Sequence, residues 1–161
     1  MPMIAIRPIA TPEEKAGICN AILRALPNWF GVESSIVDYV QKVQAIPLWA
    51  AFDGNEPVGF VALKQHSPFA AEVCVMGILT AFHRRGIGAK LIARCEDHCA
   101  AHNIEFLTVK TLDGSAPSES YARTRAFYEA MEFRPLEVFP LYWDEQNPCL
   151  FMAKVIHPQQ S

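Results

Sequence analysis

The run Ala71–Thr80 is nearly all apolar, and a short basic loop with a Gly-x-Gly pair follows it directly. Its composition, with Glu72 as the one acid, predicts a buried central strand. After Gly86, apolar residues such as Ile87 and Leu91 recur at helical spacing. A buried strand that passes through a tight loop into a helix predicts an α/β or α+β domain built around one sheet.

The rest of the chain extends this pattern to the order β-α-α-β-β-β-α-β-α-β-β. Thr11 and Pro12 predict the start of the first helix, and Pro27 its end. We expect one domain over residues 1–156 and a loose tail over 157–161. Strands are predicted near 4–9, 48–52, 58–65, 71–80, 106–110, 136–142 and 149–155, and later helices near 33–45, 86–102 and 118–131.

Composition restricts the partners of the protein. The chain has 161 residues, of which 51% are hydrophobic and 19% charged, so it has enough apolar material for one folded core. A formal net charge of −3 argues against broad binding to nucleic acids or anionic membranes. We find no apolar run long enough to span a bilayer and no pattern of a signal peptide, and we expect a cytoplasmic protein.

The five cysteines show no zinc-type spacing, and we predict no metal site. Cys95 and Cys99 are four residues apart, with His98 and His102 nearby, a grouping that in principle could chelate a metal. The alternative is that both cysteines are small buried residues on one helix face. Their odd number favours reduced thiols, which agrees with a cytoplasmic location.

The loop His83-Arg84-Arg85-Gly86-Ile87-Gly88 predicts an anion site. Helix N-termini have unpaired N–H groups and partial positive charge, and the arginines add to it. Such a site suits a pyrophosphate. The alternative is a tight strand-to-helix turn with solvated arginines. The loop lacks the Gly-Lys-Ser/Thr of a nucleotide-binding P-loop and the third glycine of a dinucleotide fingerprint.

This loop resembles motif A of the GCN5-related N-acetyltransferases (GNAT), Gln/Arg-x-x-Gly-x-Gly/Ala, with His83 in place of Gln or Arg. About 35 residues later, Tyr121–Phe133 resembles motif B, Asn-x-x-Ala-x-x-x-Tyr-x-x-x-Gly-Phe. Tyr128 and Phe133 match the family's aromatic residues. Tyr121 stands in place of Asn, Thr124 of Ala and Glu132 of Gly, and Pro135 is expected to end this helix instead.

The resemblance implies a single, mixed, centrally splayed sheet of about seven strands with about four helices, and acetyl-CoA as the co-substrate. Backbone groups of Ile78, Leu79 and Thr80 are expected to hold the pantetheine arm and polarise the thioester carbonyl. Tyr121 and Thr124 are expected near the same arm. The residues expected at the pyrophosphate are His83, Arg84, Arg85, Gly86, Ile87, Gly88 and Ala89.

Two side chains are candidates for proton transfer. The resemblance makes Tyr128 the acid that protonates the leaving thiolate, the alternative being a tyrosine packed on the core. Glu72 is the candidate base for the acceptor amine, because a similar strand glutamate occurs in the histone-acetylating branch of the family. The alternatives are an acid at a strand entrance and a water chain in place of one base. No covalent intermediate is expected, because Cys74 has no base partner that the sequence identifies.

The expected function is direct transfer of an acetyl group to a primary amine of a small molecule or a protein. A non-catalytic acyl-CoA-binding module with the same fold is the alternative, and a ribosomal-protein or tRNA-modifying enzyme has little support from the charge. The resemblance also implies a homodimer through the C-terminal hairpin. Residues expected to line the acceptor side are Trp29, Phe30, Tyr142 and Trp143, with Asp144-Glu145 either attracting a cation or forming a solvated turn.

Overall fold

The computed structural model describes residues 3–157, which form seven strands and four helices in the predicted order. Hydrogen-bonded neighbours in the sheet follow the order β1-β2-β3-β4-β5-β7-β6, which confirms the predicted fold class. The elements are β1 Ile4–Pro8, α1 Pro12–Arg24, α2 Glu33–Lys42, β2 Leu48–Asp53, β3 Glu56–Gln65, β4 Ala70–Ile78, α3 Ile87–Ala101, β5 Phe106–Leu112, α4 Glu119–Ala130, β6 Arg134–Asp144 and β7 Asn147–Val155.

Residue contacts divide the chain into two compact units. The first comprises the residues up to Lys64 together with Val73–Asp97, and the second comprises Gln65–Glu72 and the residues from His98 onward. The single domain over 1–156 and the central splay of the sheet stay predictions. Residues 158–161 of the predicted tail lie outside the described residues.

In the first unit, α1 begins where the sequence predicts. The Thr11 side chain accepts a hydrogen bond from the Glu14 N–H at 3.2 Å, and Pro12 occupies the first helical position. The predicted end is wrong, because α1 ends at Arg24, three residues before Pro27. Helix α2 also ends earlier than predicted, at Lys42, and a 3-10 turn follows it.

Gly77 of β4 sets the distance between this strand and α1. A Cβ at Gly77 would lie 3.1 Å from side-chain carbons of both Ile22 and Leu26, closer than a normal contact. The absence of a side chain therefore lets α1 approach the strand closely. The core of the unit contains Ile9, Ile18, Cys19, Ile22, Leu23, Leu26, Ile36, Val43, Leu48, Ala50, Phe52, Phe60, Ala62 and Val75.

In the second unit, β5 pairs with β7 and β7 with β6, both antiparallel. Lys110 lies opposite Phe151, and Leu112 opposite Cys149. Helix α4 is anchored to the end of β5 by the Arg125 guanidinium, which donates to the Leu112 carbonyl oxygen at 2.7 Å. Strand β6 is exposed along almost its whole length.

The two cysteines for which the sequence allowed either metal binding or burial are buried. Cys95 and Cys99 are both 0% exposed, which confirms that they are small buried residues. Among residues 3–157, no three side chains of the metal-binding types come together at one place. No helix in the same range is long and apolar enough to cross a bilayer.

Candidate active site

The loop after β4 forms the start of α3 in the first unit. The first helical hydrogen bond runs from the Lys90 N–H to the Gly86 carbonyl oxygen at 3.2 Å. The N–H groups of residues 87–89 in the first turn therefore have no acceptor within the helix. Arg84 and Arg85 are exposed just before this turn. This arrangement of N–H groups and positive charge fits a diphosphate.

The backbone of this loop is strained at one residue. Arg84 has φ 64° and Gly86 φ 76°, both in the left-handed region. A Cβ at Gly86 would meet nothing within 4 Å, so the glycine is needed for its φ and not for space. At Arg84 the same conformation costs about 1–2 kcal/mol, and such strain is concentrated at functional sites.

His83 ties the loop back to the strand. Its Nε2–H donates to the Ile78 carbonyl oxygen at 2.7 Å. The edge of its ring meets Trp29, from the loop between α1 and α2, with ring centroids 5.7 Å apart. His83 thus has one ring nitrogen bound within the protein, and its predicted contact with a pyrophosphate stays a prediction.

The strand end differs from the predicted one. Strand β4 stops at Ile78, and Thr80 lies in a 3-10 turn that ends at Phe82. The Leu79 N–H donates to the Val58 carbonyl oxygen at 2.9 Å, so it serves the sheet. The expectation that the Leu79 amide polarises a thioester carbonyl is therefore corrected. Backbone contacts of Ile78 and Thr80 with a pantetheine arm stay predictions.

In the second unit, α4 begins at a side-chain cap. Ser118 Oγ accepts a hydrogen bond from the Tyr121 N–H at 3.2 Å. Burial raises the pKa of the Tyr121 phenol. The Thr124 hydroxyl donates to the Ser120 carbonyl oxygen at 3.2 Å. Both candidate residues for the pantetheine arm are half-buried on this helix.

Tyr128 lies in the last turn of α4 and is 6% exposed. Its ring packs edge-on against Phe127 and Phe133, with 5.4 Å between ring centroids in each case. Glu132, with φ 72°, takes the position after the helix that glycine favours. Pro135 does not end the helix as predicted, because the turn at Glu132 has already done so. The assignment of Tyr128 as an acid stays a prediction.

Glu72 belongs to a group of three ionisable side chains, here called the Glu72 cluster: His66, Glu72 and Lys110. The Lys110 ammonium donates to Glu72 Oε1 at 2.9 Å, and His66 Nε2 lies 2.6 Å from the same oxygen. The side chains of Glu72 and Lys110 are only 14% and 18% exposed, whereas that of His66 is 42% exposed. Neither partner of Glu72 was predicted from the sequence, where a lysine within an apolar strand was the available signal.

Aromatic rings and one thiol surround this cluster. The Lys110 Nζ lies 5.4 Å from the centre of the Tyr142 ring and 5.7 Å from that of Phe151. Burial raises the pKa of the Cys149 thiol to about 11, while Lys110 lowers it and Glu72 raises it. The Glu72 cluster thus lies beside aromatic rings, and His66 is its one exposed member.

The residues expected on the acceptor side have different environments. Phe30 packs edge-on against Tyr39, which gives it a structural contact. Tyr142 and Trp143 are 56% and 42% exposed, and their rings contact one another. Asp144 accepts hydrogen bonds from the N–H of Gln146 and the side chain of Asn147, the pattern of a closed turn.

The candidate site residues 78–89 all belong to the first unit, and Glu72, Tyr121, Thr124 and Tyr128 belong to the second.

The family model described as "Acetyltransferase (GNAT) family" matches residues 17–133, which include the α3 loop and the whole of α4. The chain therefore belongs to the acetyltransferase (GNAT) family. This confirms the resemblance that the two motifs indicated. The family uses acetyl-CoA, whose pyrophosphate is the anion predicted for the start of α3.

Among known proteins, the chain is 31% identical over 105 residues to mycothiol acetyltransferase of Corynebacterium glutamicum. That match covers 65% of this chain but only 33% of the relative, so the chain spans about a third of its length. A solved structure assigned to the GNAT family from Desulfovibrio desulfuricans has a TM-score of 0.81 at 14% identity, covering 96% of this chain and 100% of that one. An aminoglycoside 6'-N-acetyltransferase complexed with coenzyme A has a TM-score of 0.75 at 20% identity, covering 98% and 99%. Both likenesses concern the fold.

Proposed function

We propose that the protein transfers the acetyl group of acetyl-CoA directly to a primary amine, with no acetyl-enzyme intermediate. One observation carries this proposal: at the start of α3, first-turn N–H groups without a helical acceptor follow the exposed residues Arg84 and Arg85. Family membership supplies the reaction class. The site residues below are assigned by the resemblance of the motifs and by their local geometry.

The α3 loop binds the pyrophosphate of the co-substrate in this proposal. The N–H groups of Ile87, Gly88 and Ala89 donate to its oxygens, and the guanidinium groups of Arg84 and Arg85 supply charge. Gly86 permits the left-handed turn that brings these groups together. His83 fixes the loop through its bond to Ile78, and its backbone N–H donates to the Thr80 carbonyl oxygen, so the other ring nitrogen is the group assigned to the pyrophosphate.

The pantetheine arm is assigned to Ile78, Thr80, Tyr121 and Thr124. The strand end offers backbone groups, and the helix offers a phenol and a hydroxyl. Because Leu79 donates its N–H to the sheet, only its carbonyl remains for this purpose. Positioning the thioester next to the amine supplies much of the rate enhancement of such a transfer.

Two residues are assigned to proton transfer in the reaction. Glu72 takes the proton of the acceptor ammonium, which makes the amine nucleophilic, and Tyr128 protonates the thiolate that leaves. A carboxylate has two oxygens with about four lone-pair sites, so Glu72 can take a proton while Oε1 still accepts from Lys110. The acetyl group passes from sulfur to nitrogen in one displacement.

The proposed acceptor is a primary amine of a small molecule or a protein, and no role is assigned for nucleic acid or membranes, in keeping with the net charge of −3.

We further propose a cytoplasmic homodimer formed through β6. Support comes from its exposed apolar residues, since large exposed apolar patches mark association surfaces. These are Leu136, Val138, Leu141, Tyr142 and Trp143.

A thiol-release assay tests the function. Acetyl-CoA is supplied with spermidine, kanamycin A, phenethylamine, L-lysine or a peptide that begins with alanine, and acetylated products are identified by mass spectrometry. We expect N-acetylation of at least one amine. Binding of acetyl-CoA by calorimetry without turnover of any of these amines would overturn the proposed function and favour a non-catalytic acyl-CoA-binding module.

A further inference from the structure

His66 connects the nearly buried Glu72 to solvent. Its Nε2 lies 2.6 Å from Glu72 Oε1, and its side chain is 42% exposed where that of Glu72 is 14% exposed. Lys110, the other partner of Glu72, is 18% exposed and donates to Oε1 at 2.9 Å, so it holds that oxygen in place and does not lead outward. Within the Glu72 cluster, the imidazole is the group that reaches water.

The turn before β4 holds His66 in this position. The His66 N–H donates to the Ala70 carbonyl oxygen at 2.9 Å, which closes the turn between β3 and β4. Ser67 Oγ accepts from the N–H groups of Phe69 and Ala70 at 3.1 and 3.2 Å. The backbone on both sides of the turn is therefore fixed, and the ring remains beside Glu72.

We propose that His66 is the proton exit of the transferase, passing to solvent the proton that Glu72 takes from the acceptor ammonium. This rests on the proposed function, in which Glu72 is the base. First, an ammonium N–H bond breaks as a Glu72 oxygen takes the proton. The His66 ring starts in its Nδ1–H form, so the Nε2 lone pair takes the proton from the Glu72 carboxyl group as the Nδ1 proton leaves to water. Exchange of the remaining ring proton from Nε2 to Nδ1 through water then restores the starting form. One proton passes from the amine to solvent, and nothing is oxidised or reduced.

Two neighbouring strands bring charged or ionisable groups to Glu72. Lys110 of β5 faces Glu72 directly, and Cys149 of β7 lies close enough for both charges to influence its thiol. The rings of Tyr142 and Phe151 lie around the Lys110 ammonium and limit water there. A carboxylic acid formed in this pocket needs a proton acceptor, and His66 is positioned to be one.

The test uses His66→Ala, with acetyl-CoA and the panel amine that the wild type acetylates fastest. We expect kcat at neutral pH to fall about 10-fold or more, below the 10²–10⁴-fold of a direct base, with the KM for acetyl-CoA within about twofold. Added imidazole restores the rate, because a free base replaces the missing ring. The solvent isotope effect on kcat rises, because proton release limits turnover. His102→Ala, an exposed histidine after α3, is the control and keeps wild-type kcat.

Three results would overturn the relay. They are wild-type kcat in His66→Ala, a loss that imidazole does not relieve, and an equal loss in His102→Ala. Glu72→Gln separates the relay from the proposed function. If Glu72→Gln is impaired, is not rescued by imidazole, and His66→Ala is unaffected, the base stands and the relay fails. If Glu72→Gln matches the wild type, the assignment of Glu72 as the base fails and the relay fails with it, while the acetyl transfer stands. If no panel amine is acetylated, the proposed function itself fails and the relay with it.

Discussion

The backbone N–H of Phe133 donates to the carbonyl oxygen of Tyr128 at 3.0 Å, and the rings of the same two residues lie 5.4 Å apart. The Glu132 N–H likewise donates to the Glu129 carbonyl oxygen at 3.0 Å. Together these contacts form the Schellman arrangement, in which the residue after the helix has a positive φ. Glu132 occupies that position, so the helix end has the usual hydrogen bonds but holds a non-glycine residue in a strained backbone conformation.

Replacing Glu132 by glycine should stabilise the protein. Glycine adopts φ 72° without the steric penalty of a Cβ, so we expect a gain of about 1 kcal/mol in the free energy of unfolding. Urea denaturation measures it. Glu129→Gly is the matched control: the same change one turn earlier, at an exposed helical position, should cost about 1 kcal/mol. Equal effects of the two substitutions would contradict the assignment of the helix end.

Gly88→Glu should abolish binding of acetyl-CoA. The new side chain blocks the approach of the pyrophosphate to the first turn of α3 and adds a like charge there. Isothermal calorimetry measures the affinity, and circular dichroism checks that the buried position tolerates the change. Ala93→Glu places the same charge on an exposed part of α3 and should bind normally. Unchanged affinity in folded Gly88→Glu would place the pyrophosphate elsewhere.

Tyr128→Phe removes one hydroxyl and keeps the ring that packs on Phe127 and Phe133. We expect turnover to fall about 10²-fold or more, the scale of a lost general acid, with affinity for acetyl-CoA within a few-fold. Steady-state kinetics on the identified acceptor decides the matter. Phe127→Leu, which changes the packing but no hydroxyl, should retain turnover. Wild-type activity in Tyr128→Phe would assign the proton to water or another group.

Glu72→Gln keeps the shape of the side chain and an oxygen that accepts from Lys110, but removes the base. We expect a lower rate at neutral pH that recovers as pH rises, because the amine then reaches its neutral form without help. The low-pH limb of kcat/KM should lose the ionisation of the enzyme. A pH profile superimposable on the wild type would show that Glu72 is only a structural acid and would favour a water chain.

The order of strands and helices was predictable because apolar periodicity and turn residues are local signals. Caps formed by neighbouring residues, such as Thr11 with Glu14, were predictable for the same reason. The helix ends were not, because both predicted stops relied on prolines, whereas α4 is ended by a left-handed residue, Glu132. Glutamate as a residue type gives no sign of a positive φ, and only the alignment of Glu132 with the glycine of motif B marked this position.

The candidate site divides in the same way. The α3 loop could be located because strand, loop and helix are contiguous in the chain. The partners of Glu72 could not all be found, since Lys110 is 38 residues away and reaches it only through strand pairing. His66 is six residues away, but the turn that directs it toward Glu72 depends on backbone bonds at Ser67 and Ala70. Contacts between residues that are far apart in the chain cannot be predicted from local sequence patterns.

The missing side chain of Gly77 has a mechanical consequence. Leu26 of the adjoining turn packs against Gly77, and its carbonyl oxygen accepts from the Trp29 N–H. Trp29 meets the ring of His83, and His83 is bound to Ile78, the neighbour of Gly77. Through these contacts, the loop between α1 and α2 and the loop before α3 pack against each other and against the end of β4. A substitution that removes the Trp29 ring therefore also removes a contact of the loop before α3.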